Sequence, residues 1–121
     1  MARVLVIDDE PDVVRLIMKI LSGRDHTVLI ARDGASALAR VKHEPPDVIV
    51  VDSDLPKIDG AEVCRRLKTD PATASIPVVM MTSSYIDYFD VIADSAPDAF
   101  VVRPFVRQVL ASVVERALFK R

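Results

Sequence analysis

A chain of 121 residues is most simply one domain, long enough to bury about two-thirds of its unfolded surface without help from a disulfide or metal. Half of the residues are apolar, 28% are charged and the formal net charge is −2, which argues against disorder and gives no support for a nucleic-acid-binding surface. One cysteine, Cys64, excludes an internal disulfide, and Met1-Ala2-Arg3-Val4 leads into a short run broken by three acids, neither a signal peptide nor a membrane span. A cytoplasmic location is expected.

Residues 4–7 read as a first strand that ends in Asp8-Asp9-Glu10. A first helix follows, with Pro11 in its opening turn, Gly23 past its end, and Val13, Leu16, Ile17, Ile20 and Leu21 expected on one face. Residues 28–30 form a second apolar run. Asp33 is the expected N-cap of a second helix, which passes through Leu38 and Val41 until Pro45-Pro46 stops it. Residues 48–51 read as a third strand, ending in Asp52-Ser53-Asp54 and then Leu55-Pro56 and Asp59-Gly60. A third helix after Gly60 turns Val63, Cys64 and Leu67 inward and Arg65, Arg66 and Lys68 outward. Residues 78–81 give a fourth strand closing on Thr82, and a fourth helix holds Ile86, Phe89, Ile92 and Ala93. Residues 100–102 are the fifth strand, followed by Arg103-Pro104-Phe105. The last helix carries the stripe Val106, Val109, Leu110, Val113, Val114 and Ala117. His26 and His43 stand alone and read as surface residues.

No strand alternates polar with apolar, as expected for parallel strands covered on both faces. The pattern predicts an α/β fold: a doubly wound, five-stranded parallel sheet in the order 2-1-3-4-5 with five helices. That order sets strands one and three side by side, so both acidic clusters meet at the carboxyl edge, where open α/β sheets bind ligands. Crowded carboxylates oppose one another's ionisation, so such a pocket suits a hard divalent cation and a phosphoryl group. Asp52 is the candidate nucleophile. Alone it would read as a turn or capping aspartate; beside Asp8 and Asp9 it reads as part of a site. Thr82 can donate to a phosphoryl oxygen without adding charge. Arg103 can neutralise the acids at rest and grip phosphoryl oxygens afterwards.

Asp8-Asp9, Asp52-Ser53-Asp54-Leu55-Pro56 with Asp59-Gly60, Thr82, and Arg103-Pro104-Phe105, each after its strand, resemble the receiver domain of two-component response regulators along essentially the whole chain. The resemblance implies a flavodoxin-like fold of receiver type, a single receiver domain over residues 1–121 without an output domain, and a phosphoacceptor rather than an enzyme. It implies that Asp52 takes a phosphoryl group from a histidine kinase or phosphotransfer protein. Asp9, Asp52 and the backbone carbonyl of Asp54 would ligate Mg²⁺, with Asp8 acting through water. Thr82 would be the hydroxyl switch, Phe100 the aromatic whose rotamer reports activation, and Arg103–Pro104 a cis bond. The readout face would be the fourth helix, fifth strand and last helix, open to an output partner or to dimerisation, with Tyr85, Tyr88 and Phe89 near it.

The chain departs from the family pattern at three places. Arg103 stands where the family normally has Lys, Ser95-Ala96-Pro97-Asp98 lacks the usual Gly before strand five, and Phe100 replaces the commoner Tyr. Two other readings compete: an interaction module that no longer takes phosphate because Arg103 pairs with Asp52 or Asp8, and an aspartyl-nucleophile phosphatase suggested by Asp52-Ser53-Asp54. The order of the acids along the chain argues against the phosphatase.

Overall fold

The computed structural model describes residues 2–83, 96–103 and 107–119, and in it each predicted apolar run becomes a strand. The elements are β1 (Arg3–Ile7), α1 (Pro11–Ser22), β2 (Thr27–Ala31), α2 (Gly34–His43), β3 (Val48–Asp52), α3 (Gly60–Thr69), β4 (Val78–Thr82), β5 (Ala99–Val102) and α4 (Arg107–Phe119). All strand pairs are parallel, in the order β2-β1-β3-β4-β5. The sheet is thus the one expected. Five helices were expected; the described residues hold four, and the expected fourth helix, with Tyr85, Tyr88 and Phe89, falls in residues 84–95, outside them. Pro104, Phe105 and Val106 also lie outside the described residues, and with them the expected cis bond.

Because side chains alternate along a strand, each central strand feeds two cores. Leu5, Ile7, Ile49, Val51, Val78 and Met80 pack on one face against Ala37 and Val41 of α2 and Val63, Cys64 and Leu67 of α3. Val4, Val6, Val48, Val50, Val79 and Met81 pack on the other against Ile17, Ile20 and Leu21 of α1 and Leu110, Ala111, Val114 and Ala117 of α4. Every residue of β3 and β4 is buried, whereas β2 and β5 are edge strands with partly exposed positions. Fully burying one such aliphatic side chain is worth about 1.5–3 kcal/mol, so the three central strands dominate the fold's stability.

The helix boundaries follow their caps. Pro11 occupies the first turn of α1, and the Asp33 and Asp59 carboxylates accept the N–H of Ser36 and Glu62 to start α2 and α3. Four expectations need correction. Leu16 is exposed and Val14 is buried, because the contact arc of α1 runs Val14–Ile17–Leu21, with Ile20, and leaves Leu16 on its flank. Val109 is likewise exposed, while Ala111 takes a core position in α4. His26 is buried, with Nε2 3.2 Å from Glu115 Oε2 on α4. Lys68 does not point outward: its long stem carries Nζ to the carbonyls of Ala74 and Ile76 and to Asp98. Among the described residues no helix is long and apolar enough to cross a membrane.

Candidate functional site

Parallel strands deliver all their carboxyl ends to one edge. Ile7 pairs with Val51, so Asp8 and Asp52 follow side by side; Met81 pairs with Asp52, and Thr82 with Val102, so Thr82 and Arg103 complete the same rim. One carboxylate oxygen each from Asp8, Asp9 and Asp52 lies within 4.8 Å of the others. Asp8 and Asp52 are buried, at 0% and 1% exposure, and Asp9 is exposed. Two buried acids beside a third carry both a desolvation and a like-charge cost.

Each buried acid is held by local backbone. Asp8 Oδ1 accepts the Glu10 N–H at 2.9 Å, while Oδ2 is buried with no partner among the described residues. Burial pushes the Asp8 carboxyl up to a pKa of about 6; the Glu10 N–H pulls it down, Asp52 pushes it further up and Arg103 partly compensates. Asp52 Oδ1 accepts the Asp54 N–H at 3.0 Å and a hydrogen bond from Arg103 Nη2. The Arg103 N–H donates to the Thr82 carbonyl at 2.8 Å, which ties the end of β5 to the end of β4. Burial works against the guanidinium charge, but the hydrogen bond and charge of Asp52, then the charges of Asp8 and Glu10, outweigh it and hold its pKa above the ordinary value. Arg103 Nε is buried with no partner among the described residues.

The loop after β3 folds back under the site. Ser53 N–H donates to Met81 O at 2.8 Å, and Gly60 N–H to Ser53 O at 3.1 Å. A Cβ on Gly60 would stand 2.0 Å from the Asp52 carbonyl oxygen, so no other residue fits there without moving backbone. Lys57, at φ 66°, takes the left-handed turn that makes this return.

Asp8, Asp9, Asp52, Asp54, Thr82 and Arg103 therefore converge on this edge, whereas Phe100 sits two residues back along β5. Thr82 is fully buried at the tip of β4, Asp54 is exposed just beyond Asp52, and Phe100 is half-buried against the α2–α3 core. What the sequence reading missed is the backbone approach at Gly60; the Asp-Gly pair signalled a turn but not its contact with Asp52. The donor set is all oxygen and includes one buried oxygen in want of a partner, so it fits a hard metal ion.

Residues 4–115 match the family described as response regulator receiver domain. The chain is similar to the DNA-binding dual master transcriptional regulator RpaA of Synechocystis, with 39% identity over 127 aligned residues that cover all of this chain and 50% of the relative. It is 35% identical to the alkaline phosphatase synthesis transcriptional regulatory protein PhoP of Bacillus subtilis, over 98% of this chain and 49% of the relative. The chain thus spans about half the length of these curated relatives. The signal receiver domain of a signal transduction histidine kinase from Syntrophus aciditrophicus superposes with a TM-score of 0.92 at 30% identity, covering 99% of this chain and 92% of that one. The receiver domain of a sensor histidine kinase from Pseudomonas aeruginosa, with a magnesium ion coordinated in its active-site cleft, shares the fold: TM-score 0.91, 20% identity, 98% of both chains.

Proposed function

The chain belongs to the response regulator receiver domain family, and from that premise we propose that Asp52 is its phosphoacceptor, taking a phosphoryl group from a histidine kinase or phosphotransfer protein. The observation that carries this is a buried carboxylate at the tip of β3, beside two further acids, whose two hydrogen bonds among the described residues both fall on Oδ1. Oδ2 is then the attacking oxygen. A new Oδ2–P bond forms, the P–N bond to the donor histidine breaks, and its electron pair stays on the departing imidazole. Such transfer is chiefly a matter of positioning and charge neutralisation.

Asp8, Asp9, Asp52 and the backbone carbonyl of Asp54 would hold Mg²⁺, with Asp8 acting through water. When bound, the cation supplies the positive charge that lets an anionic donor approach these acids. The Thr82 hydroxyl and the Arg103 guanidinium then engage the new phosphoryl oxygens. Their inward pull biases Phe100 and the neighbouring surface around β5 and α4. In this reading residues 1–121 are one cytoplasmic receiver domain, acting stoichiometrically rather than as an enzyme. The partners are a kinase on one side and an output domain, output protein or second copy on the other; contact with DNA would belong to the output. The family match does not favour an aspartyl-nucleophile phosphatase, and a complete acid set does not favour a module that has given up phosphate.

The test is intact-mass analysis after incubation with acetyl phosphate, with and without Mg²⁺. One phosphoryl group per chain, dependent on Mg²⁺, is expected. Turnover of the donor without a labelled chain would overturn the reading.

A further inference from the structure

Helices α2 and α3 pack on the same face of the sheet and leave a groove between their last turns. It encloses about 180 Å³ and is lined by Leu38 and Lys42 of α2, Arg66 and Leu67 of α3, and Asp70 and Thr73 just beyond. Both helices start at the carboxyl edge and end at the amino edge, so the groove lies away from Asp52. Its floor and its rim differ in kind. Leu67 is buried, Leu38 is half-buried, and the buried Thr73 hydroxyl is spent on the Leu67 carbonyl at 2.7 Å. Such a floor favours an apolar group. On the rim, Lys42 is exposed and makes no ion pair among the described residues. Arg66 commits Nε to Glu62 at 2.8 Å, while Asp70 Oδ1 is taken by the Ala72 N–H at 2.9 Å.

We propose that the α2–α3 groove docks an acidic peptide segment of a partner protein: one aliphatic side chain enters between Leu38 and Leu67 while flanking carboxylates meet Lys42 and Arg66. Charge complementarity selects this occupant. The last turn of α2 carries Arg40, Lys42 and His43 and that of α3 carries Arg66 and Lys68, a local basic excess in a chain of net charge −2. Size points the same way, because small-molecule sites usually enclose about 300–1,000 Å³ and this groove suits an anchoring side chain. A nucleic-acid strand is disfavoured: no aromatic lines the groove for a base to stack on, and Glu62 and Asp70 stand beside the cations. The docking is independent of the phosphoacceptor reading, since a partner seated here leaves the carboxyl edge open.

The test is selection of a random peptide library on the immobilised chain, without Mg²⁺ or phosphodonor, followed by titration of the enriched peptides in solution. Those peptides should carry Asp or Glu on both sides of a Leu, Ile or Met. Combining Lys42→Glu with Arg66→Gln should weaken their binding about tenfold, the order expected for two exposed charge pairs. Added salt should weaken it in the parent as well. A second measurement needs no variant: amide resonances of Leu38, Lys42, Leu67 and Thr73 in the parent should shift as peptide is added. A library that yields no binder, or binders without acidic residues, would overturn the proposal. So would undiminished binding by the double variant, shown folded by circular dichroism, or resonance shifts that cluster elsewhere. Tighter binding of a single-stranded oligonucleotide at the same residues would replace the peptide by a nucleic acid and overturn it too. Because no phosphodonor is present, failure here leaves labelling of Asp52 intact, and a chain that never labels would overturn only the phosphoacceptor reading.

Discussion

Charges at the amino edge of the sheet come in matched sets, whereas at the carboxyl edge three carboxylates share one guanidinium. At the amino edge Asp98 Oδ2 accepts the Val78 N–H at 2.7 Å and lies 2.6 Å from Lys68 Nζ, which also donates to two carbonyls. Asp47 Oδ2 accepts the Arg3 N–H at 2.7 Å, and the Asp47 N–H returns a bond to Arg3 O. Glu115 meets His26 and Arg24, although His26 Nδ1 has no partner among the described residues. At the carboxyl edge Asp8 Oδ2 and Arg103 Nε are buried without partners among the described residues, and the Asp8 carboxyl is pushed up to about 6 by burial and by Asp52. One edge pairs its charges and holds the fold. The other leaves polar capacity open, as a site for an anion and a cation requires.

Removing an acid should therefore have opposite signs at the two edges. Gly60→Ala should have the largest effect: its Cβ meets the Asp52 carbonyl at 2.0 Å, so the loop must shift. Overpacking of this kind costs about 3 kcal/mol, and urea unfolding should report it together with loss of labelling. Asp98→Ala strips the amino-edge node of its carboxylate and should destabilise by about 2–3 kcal/mol, since Lys68 and the Val78 N–H lose their partner. Labelling in that variant should persist while the chain is folded; loss of labelling at full fold would break the division between edges.

Asp8→Asn should do the opposite and stabilise the metal-free chain. A carboxyl whose folded pKa lies near 6 and whose ordinary value is 3.8 binds its proton more readily in the folded state. Its contribution to stability is therefore full below about pH 4 and lost as pH rises through about 6. The variant's advantage over the parent should grow from near zero at about pH 4 to about 2 kcal/mol at pH 7. A parent as stable as the variant at neutral pH would show that the carboxyl edge carries no such cost. The smallest effect belongs to Ala96, which sits at φ 59° in the left-handed region before β5. Ala96→Gly should stabilise by about 0.5–1 kcal/mol, read as a shift in urea midpoint.

The carboxyl edge was the more legible of the two in the sequence. Asp8, Asp52, Thr82 and Arg103 each stand where an apolar run stops, so the sheet order alone brings them together. The amino edge depends on pairs distant in sequence. Lys68 looks like its exposed neighbours Arg65 and Arg66, and nothing near it in the chain announces Asp98. His26 reads as an isolated surface residue until Glu115 arrives from α4. The helix faces were ambiguous for another reason. Val13, Val14, Leu16, Ile17, Met18, Ile20 and Leu21 cover so much of α1 that periodicity marks an apolar helix without choosing between Val14 and Leu16; packing on the sheet makes that choice. Gly60 was legible as a turn, but its approach to a carbonyl is a backbone contact and leaves no side-chain signal.

The central claim is that the open polar capacity of the carboxyl edge exists to let Asp52 take a phosphoryl group. Its most direct test is to label the chain with acetyl phosphate and Mg²⁺, reduce the acyl phosphate with borohydride, and locate the modified residue by peptide mass mapping. The account predicts modification at Asp52 alone in the parent and none in Asp52→Asn. Modification at another residue, or undiminished labelling of Asp52→Asn, would contradict it.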